Sequence, residues 1–218
     1  MIFYMILGLF LSKGILCVIH YYTLMEISSS YHDDKFFFYY EHCFQPSFWK
    51  ESLVTICNVI LWCFIWSIEG VGLYSFFIGI IASILLTISF IDSKYFLIPD
   101  KLTFSLFVIG ILFICLGYIK IIDAFLGFFS VSSLFYILYI FTKQEGIGGG
   151  DIKLMAACGV FLGVEKSIIA LEIACLLALL IQGIWKKIKR KKMFAFGPYL
   201  SIGILLSFFI EKLLLSIY

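Results

Sequence analysis

Apolar runs long enough to cross a bilayer recur along almost the whole chain, with little polar sequence between them. A crossing helix needs about 20 such residues, because each advances only ~1.5 Å through ~30 Å of hydrocarbon. Eight segments can be drawn, at roughly 2–22, 53–68, 72–91, 102–119, 121–141, 152–164, 167–185 and 195–217. The second and sixth are short and read as tilted, lengthened by their flanks or partly re-entrant. Little more than Lys120 separates the fourth from the fifth, as in a tight helical hairpin. A soluble domain is excluded. Of 218 residues, 63% are hydrophobic and only 14% charged, more apolar sequence than one core can bury. The expectation is an all-α, polytopic membrane helix bundle of about eight transmembrane helices, a single domain over 1–218 with a polar loop at about 23–52.

The ends and the cysteines add little. A cleavable signal peptide is not expected, since no basic n-region precedes the first run and Lys13 interrupts it. Six of the seven cysteines lie in apolar stretches, Cys43 being the exception, and no CxxC occurs. They read as small buried residues rather than disulfide partners or zinc ligands.

Loop charge gives the orientation. With the N-terminus outside, the loops at 23–52, 92–101, 142–153 and 186–193 face the cytoplasm and hold twelve cations, six of them in "KKIKRKK". The opposite side holds Lys120, Lys166 and Lys212. Cytoplasmic loops are enriched in Lys and Arg, so the N-terminus is placed outside. The loop at 23–52 carries five acids against two lysines, but acids contribute little to this bias. Its His32, His42 and Cys43 match no compact zinc spacing. The basic run anchors the chain at an anionic leaflet; nucleic acid is not an expected partner.

Ionisable groups at membrane depth are costly and mark function. Asp92 closes the third apolar run in "FIDSKYFLIPDKLT", and Asp151 opens the sixth in "EGIGGGDIKLMAACGVFLG". In the topology above both reach the cytoplasmic face. Two converging carboxylates suit aspartic hydrolysis, in which a protonated acid polarises the scissile carbonyl and an ionised one activates water. Asp151 at a helix start favours the anion, and Asp92 at a helix end disfavours it. That argument gives the proton to Asp92 and the base to Asp151. Gly148, Gly149 and Gly150, with Gly146 before them, leave room for a second backbone beside Asp151. Simpler readings stand beside these: Asp151 as a helix N-cap, Asp92 as an interfacial helix end. Asp100, after Pro99, reads as a helix cap. Lys153 can snorkel to the surface, meet the carboxylates or meet substrate. Glu172 reads as a polar partner inside the bundle.

Taken together, three patterns resemble the bacterial type IV prepilin leader peptidases, membrane aspartic proteases of the GxGD type. "FIDSKYFLIPDKLT" is similar to the family's Asp, five residues, (I/L)PD and LT. "EGIGGGDIKLMAACGVFLG" follows its EGxGxGDxKLxAxxGxxLG stretch nearly throughout, and "FGPYLSIG" at 196–203 is similar to its FGPxLAxG, with Ala195 where Pro is common. The resemblance extends from about residue 50 to the C-terminus. It implies that Asp92 and Asp151 are catalytic, with Gly148, Gly149, Gly150, Lys153 and Asp100 around them. It also implies a multi-pass protein of the bacterial plasma membrane with its active site facing the cytoplasm. The implied substrates are prepilin, pseudopilin or competence-pilin precursors with short basic leaders, which the acidic loop would attract; lipid is the other partner. Proteolysis of this kind needs no cofactor. Many members carry two CxxC pairs that bind zinc; these are missing here, so zinc is not expected, and S-adenosylmethionine matters only if N-methylation is retained. Two other readings are a presenilin-like or signal-peptide-peptidase-like intramembrane protease, whose YD and PAL motifs are absent, and a non-catalytic transporter or assembly factor.

Overall fold

The computed structural model describes residues 2–30, 48–141, 148–185 and 195–215, and every regular element among them is an α-helix. In chain order these are α1 (Ile2–Ser30), α2 (Phe48–Glu69), α3 (Leu73–Tyr95), α4 (Asp100–Cys115), α5 (Ile121–Phe141), α6 (Gly149–Trp185) and α7 (Gly197–Leu215). Helices at Ser52–Glu69, Leu73–Tyr95 and Ile121–Phe141 are long and apolar enough to cross a membrane, and shorter apolar helices cover Tyr4–Ile19 and Gly197–Ile210. The acidic centre of the polar loop, Glu145 and Gly146, and the basic run at 186–192 lie outside the described residues.

The sixth and seventh expected runs form one element, α6, interrupted at Gly163 (φ 74°, ψ −175°). Only glycine enters that backbone region without strain. Ser167 Oγ donates to the Gly163 carbonyl at 2.6 Å, giving the carbonyl at the break a buried partner.

Two compact units divide the described chain, Met1–Thr87 and Ile88–Tyr218, with the boundary inside α3. In the first, α1 packs on α2. A buried polar chain joins three helices. Asn58 Nδ2 donates to the Gly8 carbonyl (2.9 Å), Ser83 Oγ to Asn58 Oδ1 (2.8 Å) and Trp62 Nε1 to Ser83 Oγ (3.0 Å). Where surroundings are apolar, such bonds hold helices together because the alternative is an unsatisfied group.

In the second unit α6 packs against α4, α5 and α7. Leu154, Met155 and Cys158 are fully buried, and Phe161 stacks on Phe208 of α7 (5.8 Å between rings, 11° between planes). The α5–α6 crossing is backbone on backbone: a Cβ on Gly127 would strike the Gly159 carbonyl oxygen, and a Cβ on Gly159 the Gly127 carbonyl. Small residues permit this approach. Outward faces are apolar: Phe104, Phe125 and Leu179 are exposed, as in a helical protein that meets lipid. Four residues depart from the expectation. Cys17, Cys115 and Cys175 are exposed rather than buried, and Glu172 lies on an exposed face rather than inside the bundle.

Gly127→Ala or Gly159→Ala should cost about 1–3 kcal/mol, the usual penalty for overfilling a packed contact. Gly14→Ala, where an added Cβ meets nothing within 4 Å, should be neutral or gain up to about 1 kcal/mol from helix propensity. Thermal unfolding in detergent checks the contrast.

Candidate active site

Asp92 lies in the last turn of α3 and is 5% exposed. The helix ends just beyond it. Phe96 takes a left-handed conformation (φ 53°), and its N–H donates to the Asp92 carbonyl at 2.9 Å. A bulky side chain in that region is uncommon, but the geometry is an αL helix cap. Leu97 to Pro99 then lead into α4. The cap there is Pro99 (φ −68°, ψ 125°), whose carbonyl accepts the Leu102 and Thr103 amides and the Thr103 hydroxyl.

Asp100 is therefore not the cap; it is the first residue of α4, and no side chain caps that helix. Its carboxylate is free to reach elsewhere, and Lys153 Nζ donates to Asp100 Oδ1 at 2.7 Å. That ion pair ties the start of α4 to the start of α6. Both groups are largely exposed, so its worth is at most about 1 kcal/mol and its effect is geometric.

Asp151 sits in the first turn of α6, just ahead of the apolar stretch from 152. Its N–H donates to the Gly148 carbonyl (3.1 Å). The three glycines before it differ in use. A Cβ on Gly150 would lie 2.9 Å from Ile98 Cβ, so this glycine lets α6 begin against the loop that follows Asp92. A Cβ on Gly148 would lie 3.0 Å from Asp151 Oδ2. Gly149 alone has open space around it. Two of the glycines thus make room for the protein's own atoms, and Gly149 keeps the role expected of the whole run.

The two carboxylates are brought into electrostatic contact. Burial first, and the charge of Asp92 second, push the Asp151 carboxyl up to about 7, with the Gly148 amide opposing. A helix terminus contributes only about 0.3–1 kcal/mol, whereas a rise of this size corresponds to several kcal/mol. Asp151 therefore holds a proton more tightly than an ordinary carboxyl, through burial and a neighbouring charge that the helix-end argument does not contain.

A third segment enters unannounced. The Gly197 N–H, at the start of α7, donates to Asp92 Oδ2 at 2.8 Å. Nothing in the side chains of "FGPYLSIG" marks this contact, because a backbone amide has no side-chain signature. Among the described residues no group of three or more His, Cys, Asp or Glu is placed to hold a metal ion.

Fold and site define a helical membrane protein in which two carboxylates, far apart in sequence, interact electrostatically beside a glycine-flanked helix start. Residues 79–183, which contain both, match the model of the Type IV leader peptidase family. Three curated relatives are named prepilin leader peptidase/N-methyltransferase. The chain is 36% identical over 132 residues to the one from Pectobacterium carotovorum subsp. carotovorum, covering 57% of this chain and 47% of the relative. It is 38% identical over 142 residues to that of Aeromonas hydrophila (57% and 48%), and 34% over 125 residues to that of Escherichia coli K12 (54% and 56%). The chain spans about half the length of the curated relatives it matches. No solved structure matches it. The resemblance drawn from the three motifs is borne out.

Gly150→Ala should cost about 1–3 kcal/mol through the Ile98 contact, while Gly149→Ala should change stability by less than about 0.5 kcal/mol. Thermal unfolding of the two variants side by side checks the assignment.

Proposed function

We propose that the protein is a membrane aspartic endopeptidase that removes the short basic leader from type IV prepilin, pseudopilin or competence-pilin precursors. The observation that carries this reading is the electrostatic coupling of Asp92 to Asp151 inside the segment that matches the leader peptidase family. The names of the relatives support the substrate class.

In the mechanism proposed here the pair shares one proton, assigned to Asp151. Asp151 enters protonated and donates to the scissile carbonyl oxygen. Asp92, ionised and held by the Gly197 amide, takes a proton from water as the water oxygen attacks the carbonyl carbon. The tetrahedral intermediate collapses when Asp92 passes that proton to the leaving nitrogen and the C–N bond breaks. Asp151 recovers its own proton as the carbonyl re-forms. Only water is consumed, so proteolysis calls for no metal or organic cofactor. S-adenosylmethionine would serve only the methylation named in the relatives, which forms no part of this reading. An extended substrate backbone runs past Gly149, the open glycine.

The same reading gives the chain eight crossings with the N-terminus outside, on the loop cations, and puts the carboxylates at the cytoplasmic face of a bacterial plasma membrane. Its partners are the precursor and the lipid around it.

Cleavage of a prepilin reporter by purified protein in detergent tests the mechanism. Asp92→Asn and Asp151→Asn, each folded by thermal unfolding, should lose at least about 100-fold in rate; robust cleavage by either removes that acid. Because Asp151 must be protonated and titrates at about 7, kcat/KM should fall as pH rises through 7, approaching tenfold per unit above it. A pH–rate profile flat from 6 to 9 would contradict the assigned roles.

A further inference from the structure

The start of α7 is built around one amide. A helix leaves its first N–H groups without intrahelical acceptors, and each must be satisfied elsewhere. Here the set is nearly closed. Tyr199 and Leu200 both donate to the Phe196 carbonyl at 3.1 Å, and Pro198 has no N–H at all. Gly197 supplies the remaining amide of that turn, and it donates to Asp92 Oδ2 at 2.8 Å.

The identity of the residue is set by the same contact. Gly197 is buried, and a Cβ placed there would lie 2.7 Å from Asp92 Oδ2, 3.0 Å from Cγ and 3.1 Å from Cβ. All three of these atoms belong to Asp92, which is itself buried, so an added methyl would push directly on the carboxylate. Phe196, the residue before, meets the ring of Phe135 on α5 at 6.2 Å, which fixes where α7 begins.

We infer that Gly197 is a positioning residue for Asp92: its N–H holds Oδ2 and leaves Oδ1 to face the reacting water. Phe196 anchors the turn, Gly197 supplies the donor and the space, and Pro198 withholds a second amide that would compete for the carboxylate. This role for Asp92 rests on the proposed function, but its structural half, the coupling of Gly197 to Asp92, stands apart from any activity.

The experiment therefore has two arms. In the first, thermal unfolding in detergent compares Gly197→Ala in the wild-type background and in Asp92→Ala, where the carboxylate is gone. The substitution should lower Tm by several degrees in the first background and little in the second. An equal loss in both overturns the coupling, as does a failure of the double variant to fold. If Gly197→Ala alone does not fold, recovery of folding in the double variant supports the inference. In the second arm, cleavage of a prepilin reporter by folded Gly197→Ala should show kcat reduced at least about 100-fold, the effect of an ångström-scale misplacement, with KM changed less than about threefold. A kcat within about threefold of wild type, or a loss that follows only the folded fraction, overturns it. If wild type cleaves no prepilin reporter, the proposed function fails while the Tm cycle still decides the coupling.

Discussion

A carboxylate surrounded by apolar helices has no bulk water to lean on, so the chain must supply what water would. This single requirement organises the second unit. Asp92 receives an amide from the start of α7, over a hundred residues away in sequence. Asp151 has the Gly148 amide nearby, and burial with the charge of Asp92 raises its affinity for a proton. Three helix ends, from α3, α6 and α7, come together around these two carboxyls.

The packing that allows this gathering is carried by small residues rather than large ones. Backbone contact between Gly127 and Gly159 brings α5 against α6, and Gly150 seats the beginning of α6 on Ile98. Large side chains fill what remains, as in the Phe161–Phe208 stack. The exposed ion pair of Asp100 and Lys153 adds alignment rather than much energy.

Much of this was legible from the residues alone. Long apolar runs announce helices, and acids at their ends, Asp92 and Asp151 among them, stand out because they are expensive. Other features were hidden for physical reasons. The proton affinity of Asp151 depends on burial and on a neighbour's charge, neither of which a helix-end argument contains. Asp100 looked like a cap because it follows Pro99, yet a proline carbonyl performs that task and leaves the carboxylate to Lys153. Gly197 was invisible as a site residue since its contribution is a backbone N–H and an empty volume. The role of the glycine run was only partly visible, because Ile98, which occupies the room beside Gly150, belongs to a different loop.

The break at Gly163 has a consequence for how the molecule tolerates change. A continuous helix transmits rotation: one residue inserted turns everything beyond it by about 100°. With helical phase interrupted at Gly163, the leg from 149 to 162 and the leg from 164 to 185 keep separate phases. An insertion in the second leg would turn its exposed leucines and its buried alanines, Ala170 and Ala174, together, while the first leg, with Asp151, keeps its own register.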